Sequence, residues 1–161
     1  MLKIKSGIGY DIHRLEAGSG LFIGGVKVSN RLKFSAHSDG DVLIHALIDS
    51  LLGALGEPDI GEHFPDTDPQ FRDISSVVLL QKTYKIVKEK KYEIINIDCV
   101  VIAERPKISP YKKNIRSRLS SLLGMSEQDI NVKAKTKEKV DAVGRGEAVE
   151  CFCVCMIRSI I

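Results

Sequence analysis

Along the chain the spacing of apolar residues changes several times, and each change predicts an element. Residues 2–13 alternate loosely between apolar and polar, as a half-buried strand does; Gly18 to Gly20 make a turn, and Leu21 to Val28 form a second short strand, so a hairpin opens the chain. At Val42, Leu43, Ala46, Leu47, Ser50 and Leu51 the spacing becomes helical, with Ser38 or Asp39 as the N-cap and Gly53 or Gly56 as the stop. Residues 57–72 hold three prolines and five acidic residues without periodicity and read as a long loop, the kind of segment that tends to carry function. Val77, Val78, Leu80, Tyr84 and Val87 mark a Lys-rich amphipathic helix over residues 74–91. A strand follows from Ile94 to Ala103, Pro106 and Pro110 interrupt the chain, and a third amphipathic helix from Tyr111 to Leu123 ends at Gly124. Two strands, residues 131–136 and 148–160, close the pattern on either side of a loop with Gly144 and Gly146.

Strands and helices mix without regular alternation and without an internal repeat, which predicts an α+β fold: a single sheet with helices packed on one face. At 161 residues the chain is the size of one domain, residues 1–161, able to bury a core without a disulfide or metal staple. Cys151, Cys153 and Cys155 alternate in the last strand and put three thiols on one face, the pattern of small apolar residues in the buried sheet of a reduced protein. No zinc-type cysteine spacing occurs. Apolar runs are far shorter than a membrane span and no charged-then-apolar leader opens the chain, so the expectation is a cytoplasmic protein without a membrane partner. A net charge of +3 is too small to imply nucleic-acid binding. It is unevenly spread, however: residues 39–73 are acidic, whereas residues 82–139 are basic, so one stretch suits cations and the other phosphate.

Asp11 and His13, two apart on a strand, project from one face, where a carboxylate and an imidazole can converge on one ion. His45 is a candidate third ligand, although a His between Ile44 and Ala46 is more often a satisfied core residue. Asp, His and His would leave a tetrahedral ion one open position for substrate. Asp39 and Asp41 suit the start of a helix, where carboxylates gain from its dipole. His37 and Ser38, in a polar turn before that helix, can donate hydrogen bonds to a phosphate oxygen. The residues from Asp59 to Asp68 have a density of Asp, Gly and Pro that suits cations or sugar hydroxyls, or simply a solvated loop. Residues 133–139 fit a lysine-blunted edge strand or, alternatively, an anion site in which Thr136 and the lysines face phosphate and Glu138 holds a divalent ion. Arg145, between two glycines, adds a guanidinium with the same affinity.

The order of these pieces is more specific than any one of them. Gly9-Tyr-Asp-Ile-His13, Ala36-His-Ser-Asp-Gly-Asp41 with His45-Ala-Leu-Ile-Asp49, Asp59-Ile-Gly with Phe64-Pro-Asp-Thr-Asp-Pro69, and Gly144-Arg-Gly-Glu147 together resemble the 2-C-methyl-D-erythritol 2,4-cyclodiphosphate synthase family over nearly the whole chain. The resemblance implies a homotrimer around a central sheet-lined core, with active sites between subunits. It implies the closure of 4-diphosphocytidyl-2-C-methyl-D-erythritol 2-phosphate to the cyclic diphosphate with release of CMP. By resemblance Asp11, His13 and His45 hold zinc, Glu138 helps hold Mg2+ or Mn2+, and His37 and Thr136 stabilise the transition state. Ser38, Asp59, Ile60, Gly61, Phe64, Pro65, Asp66, Thr67 and Asp68 match the methylerythritol and phosphate side of the pocket. Ala103, Glu104, Arg105, Pro106, Lys107, Ile108 and Ser109 resemble the cytidine pocket. Lys135, Lys137, Ala142 and Arg145 belong to the diphosphate neighbourhood. The chain departs from the family there: Lys135 and Lys137 flank a single Thr136, and Asp141 and Ala142 replace the usual glycine and aromatic. Lys135 is expected to add positive charge at the diphosphate. The competing readings are a zinc-dependent phosphohydrolase acting on a nucleoside-diphosphate-linked substrate and a non-catalytic metal- or ligand-binding relative. Location follows as cytoplasmic of bacterial type, or as a mature plastid form.

Overall fold

The structure is a computed structural model and describes residues 1–71 and 74–160, so Arg72, at the end of the expected loop, lies outside the described residues. Strand β1 runs Ile4–Ala17 and β7 Ala148–Ser159, and the two pair antiparallel from Ile4 opposite Arg158 to Arg14 opposite Ala148. Strands β4 (Leu32–Ser35), β5 (Tyr92–Ile102) and β6 (Ile130–Lys135) complete a five-stranded sheet in the order β4-β1-β7-β5-β6, in which only the β5–β6 pair is parallel.

The opening hairpin is a correction. The first strand pairs with β7 from the far end of the chain and with β4, which is too short for its pattern to register. The hairpin is instead β2 (Leu21–Ile23) with β3 (Val26–Ser29), joined at Gly24 and Gly25. Both glycines have positive φ, 61° and 72°, the backbone that a two-residue turn matching strand twist requires.

Helix α1 spans Val42–Leu55 and stops at Gly56, not Gly53, because Gly56 takes the left-handed φ of 75°. Its N-cap is Asp41 rather than Ser38 or Asp39. Asp41 Oδ1 accepts from Ile44 N at 3.1 Å and Gly24 N at 2.8 Å, and Oδ2 from Gly25 N at 2.7 Å, so one buried carboxylate caps the helix and fastens the hairpin to it. Nearly every side chain of α1 is buried, including Leu43, Ile44, Leu47, Ile48, Leu51 and Leu52. Helix α1 rides so low on β1 that a Cβ added at Gly9 would lie 1.8 Å from Ala46 O, and one at Gly7 2.0 Å from Ser50 O.

The expected loop is partly structured. Asp59 caps a helical turn, α2 (Ile60–His63), and a 3-10 turn follows at Pro69–Phe71. Helix α3 (Ser76–Glu89) starts two residues later than the periodicity suggests, because Ser75 Oγ accepts from Val77 N. Helix α4 covers Lys112–Leu123 and is entered through a 3-10 turn at Ser109–Tyr111. A short helix α5 (Asp141–Gly144) lies in the stretch read as a loop.

Sheet side chains separate by face as the alternation predicts. Val149, Cys151, Cys153, Cys155 and Ile157 are fully buried against the helices, and all four cysteines, Cys99 included, are free thiols. The intervening residues Phe152, Val154 and Met156, with Ile4, Ile8, Tyr10 and Ile12 of β1, form an exposed apolar surface on the opposite face.

Candidate metal centre and substrate cavity

Asp11 and His13 lie on the helix-facing side of β1, and His45 occupies the first full turn of α1 directly above them. Three donor atoms converge: Asp11 Oδ2 is 3.0 Å from His13 Nε2 and 3.0 Å from His45 Nδ1, and the two ring nitrogens are 3.3 Å apart. Among the described residues this is the one group of three or more His, Cys, Asp or Glu side chains placed to share a metal ion. Burial desolvates the Asp11 carboxyl and works against ionisation, but the hydrogen bonds and charge of His13 and His45 outweigh it and hold its pKa down at about 2. Burial likewise opposes charge on His45, and Asp11, with Asp41 and Asp39 behind it, overcomes this and raises its pKa. A carboxylate aimed at two imidazole nitrogens at this spacing is a site built around positive charge.

The triad lines a cavity of about 460 Å³. His37 and Ser38 line it from the turn before α1; Ile60, Gly61, Phe64 and Asp66 line it from the acidic loop. His37 is exposed at the mouth, its Nε2 3.9 Å from Asp66 Oδ2. Ser38 Oγ lies 3.4 Å from His45 Nε2. Asp59 turns away to cap α2, accepting from Glu62 N, and Asp68 is occupied by Gln70. Thr67 lines a neighbouring depression with His37, Asp66 and Pro69, and Pro65 lies in the turn between Phe64 and Asp66.

The remaining candidates gather elsewhere, at the far edge of the sheet. Thr136 Oγ1 donates to Glu138 Oε1 at 2.5 Å, and Glu104 Oε1 accepts from the backbone N–H groups of Lys137 and Lys139. Ala103 N donates to Lys135 O, and Arg105 Nε to Gly146 O, so residues 103–109, 135–139 and 141–146 form one cluster. Glu138, Lys139 and Asp141 all have positive φ, a strained turn that this hydrogen bonding holds in place. Lys107, Ser109 and Arg145 are exposed, Pro106 and Ala142 half-buried, and Ile108 packs into the core. Lys137 is not free to meet an anion: its Nζ pairs with the buried Glu150, which also accepts from Tyr10 Oη at 2.9 Å, and Asp141 stands 3.8 Å away. None of these residues lines the cavity. Asp11 is in register with Cys151, Val101 and Ala134 on successive strands, so three strand spacings, ~14 Å, separate β1 from β6.

Residues 4–158 match the model of the YgbB family. A 2-C-methyl-D-erythritol 2,4-cyclodiphosphate synthase from Caldicellulosiruptor bescii is 44% identical over 95% of this chain and 98% of its own. The chloroplastic synthase of Arabidopsis thaliana is 46% identical over 97% of this chain and 68% of its own. Among solved structures, an IspF from Plasmodium falciparum in complex with CDP superposes with a TM-score of 0.87, at 39% identity over 98% of this chain and 97% of that one. The chain belongs to the YgbB family, that of the 2-C-methyl-D-erythritol 2,4-cyclodiphosphate synthases.

Within this YgbB-family site the structure also shows contacts that the sequence does not single out. Phe71, Ile74 and Leu79 complete the apolar wall of the cavity. Asp49, one turn beyond His45 on α1, accepts from Ile60 N at 2.8 Å and fixes the start of α2. Asp39 binds the start of α3 through Ser76 N at 3.1 Å and both serine hydroxyls. The signal for the last was available: two serines immediately before an apolar-periodic run mark a helix start.

Proposed function

We propose that the protein converts 4-diphosphocytidyl-2-C-methyl-D-erythritol 2-phosphate to 2-C-methyl-D-erythritol 2,4-cyclodiphosphate and releases CMP, a phosphorus–oxygen lyase step in non-mevalonate isoprenoid precursor biosynthesis. What carries this reading is the Asp11–His13–His45 triangle lining a substrate-sized cavity, in a chain 44–46% identical to relatives named for that reaction. The triangle suits zinc. Tetrahedral bonds of 2.0–2.1 Å separate their ligand atoms by roughly 3.3–3.4 Å, and the donor atoms here stand 3.0 to 3.3 Å apart. A divalent ion in that site supplies Lewis-acid polarisation of a phosphoryl oxygen.

The substrate's own 2-phosphate oxygen attacks the β-phosphorus, and the bond from that phosphorus to the bridging oxygen breaks, so that CMP leaves with the oxygen and its electron pair. No protein nucleophile takes part; the chain's work is to position and to offset charge. His37 and Ser38 at the cavity mouth donate to phosphate oxygens, while Ile60, Gly61, Phe64 and Asp66 shape the wall for the methylerythritol carbons and hydroxyls. Thr136 and Glu138 serve the CMP side, and Glu138 would supply a carboxylate for Mg2+ or Mn2+, an ion that sites of this kind hold by one or two carboxylates together with the substrate's phosphates. Lys135, exposed beside them, adds charge to the diphosphate contact.

The separation of the two residue groups within one chain, together with the exposed apolar face of Ile8, Tyr10, Ile12, Phe152 and Val154, supports a homotrimer. Packing three such faces on one another covers the apolar surface and brings the Ala103–Ser109 and Thr136–Glu138 cluster of one subunit to the metal site of the next. Among the described residues no helix is long and apolar enough to cross a membrane. The relatives are bacterial and chloroplastic, and the cytoplasm or a plastid stroma fits either. Incubation with substrate and separation of the products tests the reading: CMP plus a cyclic diphosphate is expected, whereas a linear phosphate product would establish a hydrolase. His45→Ala is expected to lower turnover by roughly 10²–10³-fold, and unchanged turnover would remove the metal centre from the mechanism.

A further inference from the structure

His45 has a second polar contact that the metal site does not account for. Its Nδ1 faces Asp11 and His13, while Nε2, on the opposite edge of the ring, lies 2.8 Å from Ser76 Oγ. Ser76 is the first residue of α3 and fully buried, and its hydroxyl also contacts Asp39 Oδ1. Asp39 in turn accepts from Ser76 N at 3.1 Å and from Ser75 Oγ at 3.3 Å through Oδ2. Ser38 Oγ approaches the same Nε2 only to 3.4 Å and accepts from Gly40 N, so Ser76 makes the bond that counts.

The relay has one polarity. An ionised carboxylate accepts and cannot donate, so the Ser76 O–H proton goes to Asp39, and the hydroxyl oxygen is left to accept from His45 Nε2–H. A neutral imidazole with its proton on Nε2 carries a lone pair on Nδ1, and that lone pair is aimed at the centre of the triad. We propose that Ser76, oriented by Asp39, is a positioning residue of the metal centre: it fixes the tautomer and ring plane of His45 and so presents Nδ1 as a ready donor. This rests on the metal-site reading above. Its physical basis is general, since the partner on a ligand histidine's other nitrogen orients the ring, raises its basicity and is worth 10–100-fold in metal affinity.

Ser76→Ala separates this role from a structural one, because it removes the hydroxyl but keeps the backbone N–H that ties α3 to Asp39. Zinc dissociation constants of the full-length protein, measured by competition with a chromophoric chelator, test it. Wild type is expected to bind one zinc per chain and Asp11→Ala to lose it; Ser76→Ala should bind zinc about 10–100-fold more weakly, with an altered visible spectrum of the cobalt-substituted protein and an unchanged far-ultraviolet circular dichroism spectrum. A Ser76→Ala constant within twofold of wild type, with an identical cobalt spectrum, overturns the inference and leaves the metal site standing. Wild type that takes up no zinc overturns both.

Discussion

Tyr10 illustrates how far a single residue can be read from its own neighbours. Its Oη donates to Glu150 from the exposed face of the sheet, and burial, followed by the hydrogen bond and negative charge of Glu150, pushes its pKa up to about 12. An acid whose folded pKa is raised keeps its proton where the unfolded chain has lost it, so the fold binds more protons than the unfolded state and stability falls as pH rises. The window is from about 10, the ordinary tyrosine value, to about 12. Denaturant titrations across that range should show a steeper loss for wild type than for Tyr10→Phe; parallel curves would remove the Tyr10–Glu150 bond from the account. At this scale the sequence was informative where chemistry is local. Asp11 and His13 share a face because a strand has period two, and the period is visible. His45 is only half legible, since its neighbours argue for a core residue and only the fold brings it within 3.3 Å of His13. Ser76 was illegible as part of the site, because its bond to His45 joins residues 31 apart. The partner of Lys137 was illegible for the same reason: Glu150 lies on β7, 13 residues further along the chain.

Among the elements, α1 was the most legible and the opening strand the least. A helix declares itself by the spacing of its own apolar residues, whereas a strand's partners are named only by the rest of the sheet, and β7, which pairs with β1, is at the other end of the sequence. The cap of α1 also depends on partners outside the helix, which is why Asp41, with Gly24 and Gly25 to satisfy, takes the place expected of Ser38 or Asp39. Asp41→Ala should cost more than an ordinary cap: about 1 kcal/mol for Ile44 N–H and about 1–3 kcal/mol for the buried Gly24 N–H left unpaired, measured by chemical denaturation. A loss under about 1 kcal/mol would mean that other groups cap the helix. Gly9→Ala tests the contact between β1 and α1. The added methyl would meet the Ala46 carbonyl, main chain that no side-chain rotation can clear, so a loss of about 3 kcal/mol or more is expected, together with weaker metal binding because Ala46 adjoins His45.

For the whole molecule, the fold class and the two groups of candidate residues were legible in the sequence, but not the distance between them. The proposed trimer predicts that native mass spectrometry finds three chains, and that Ile8→Asp, on the exposed apolar face, yields monomers that bind zinc yet turn over no substrate. Active monomers would show that one chain holds a complete site. A different consequence follows from the way the acidic loop is moored. Ile60, at its start, is held by Asp49, and Ser76, where α3 begins, by Asp39, so both ends are made fast on either side of the candidate ligand His45. The passage between them therefore behaves as a cassette. Exchanging its interior for that of a relative is expected to alter substrate affinity while leaving zinc affinity as it was, and a parallel loss of zinc binding would show that the moorings do not insulate the ion-binding corner.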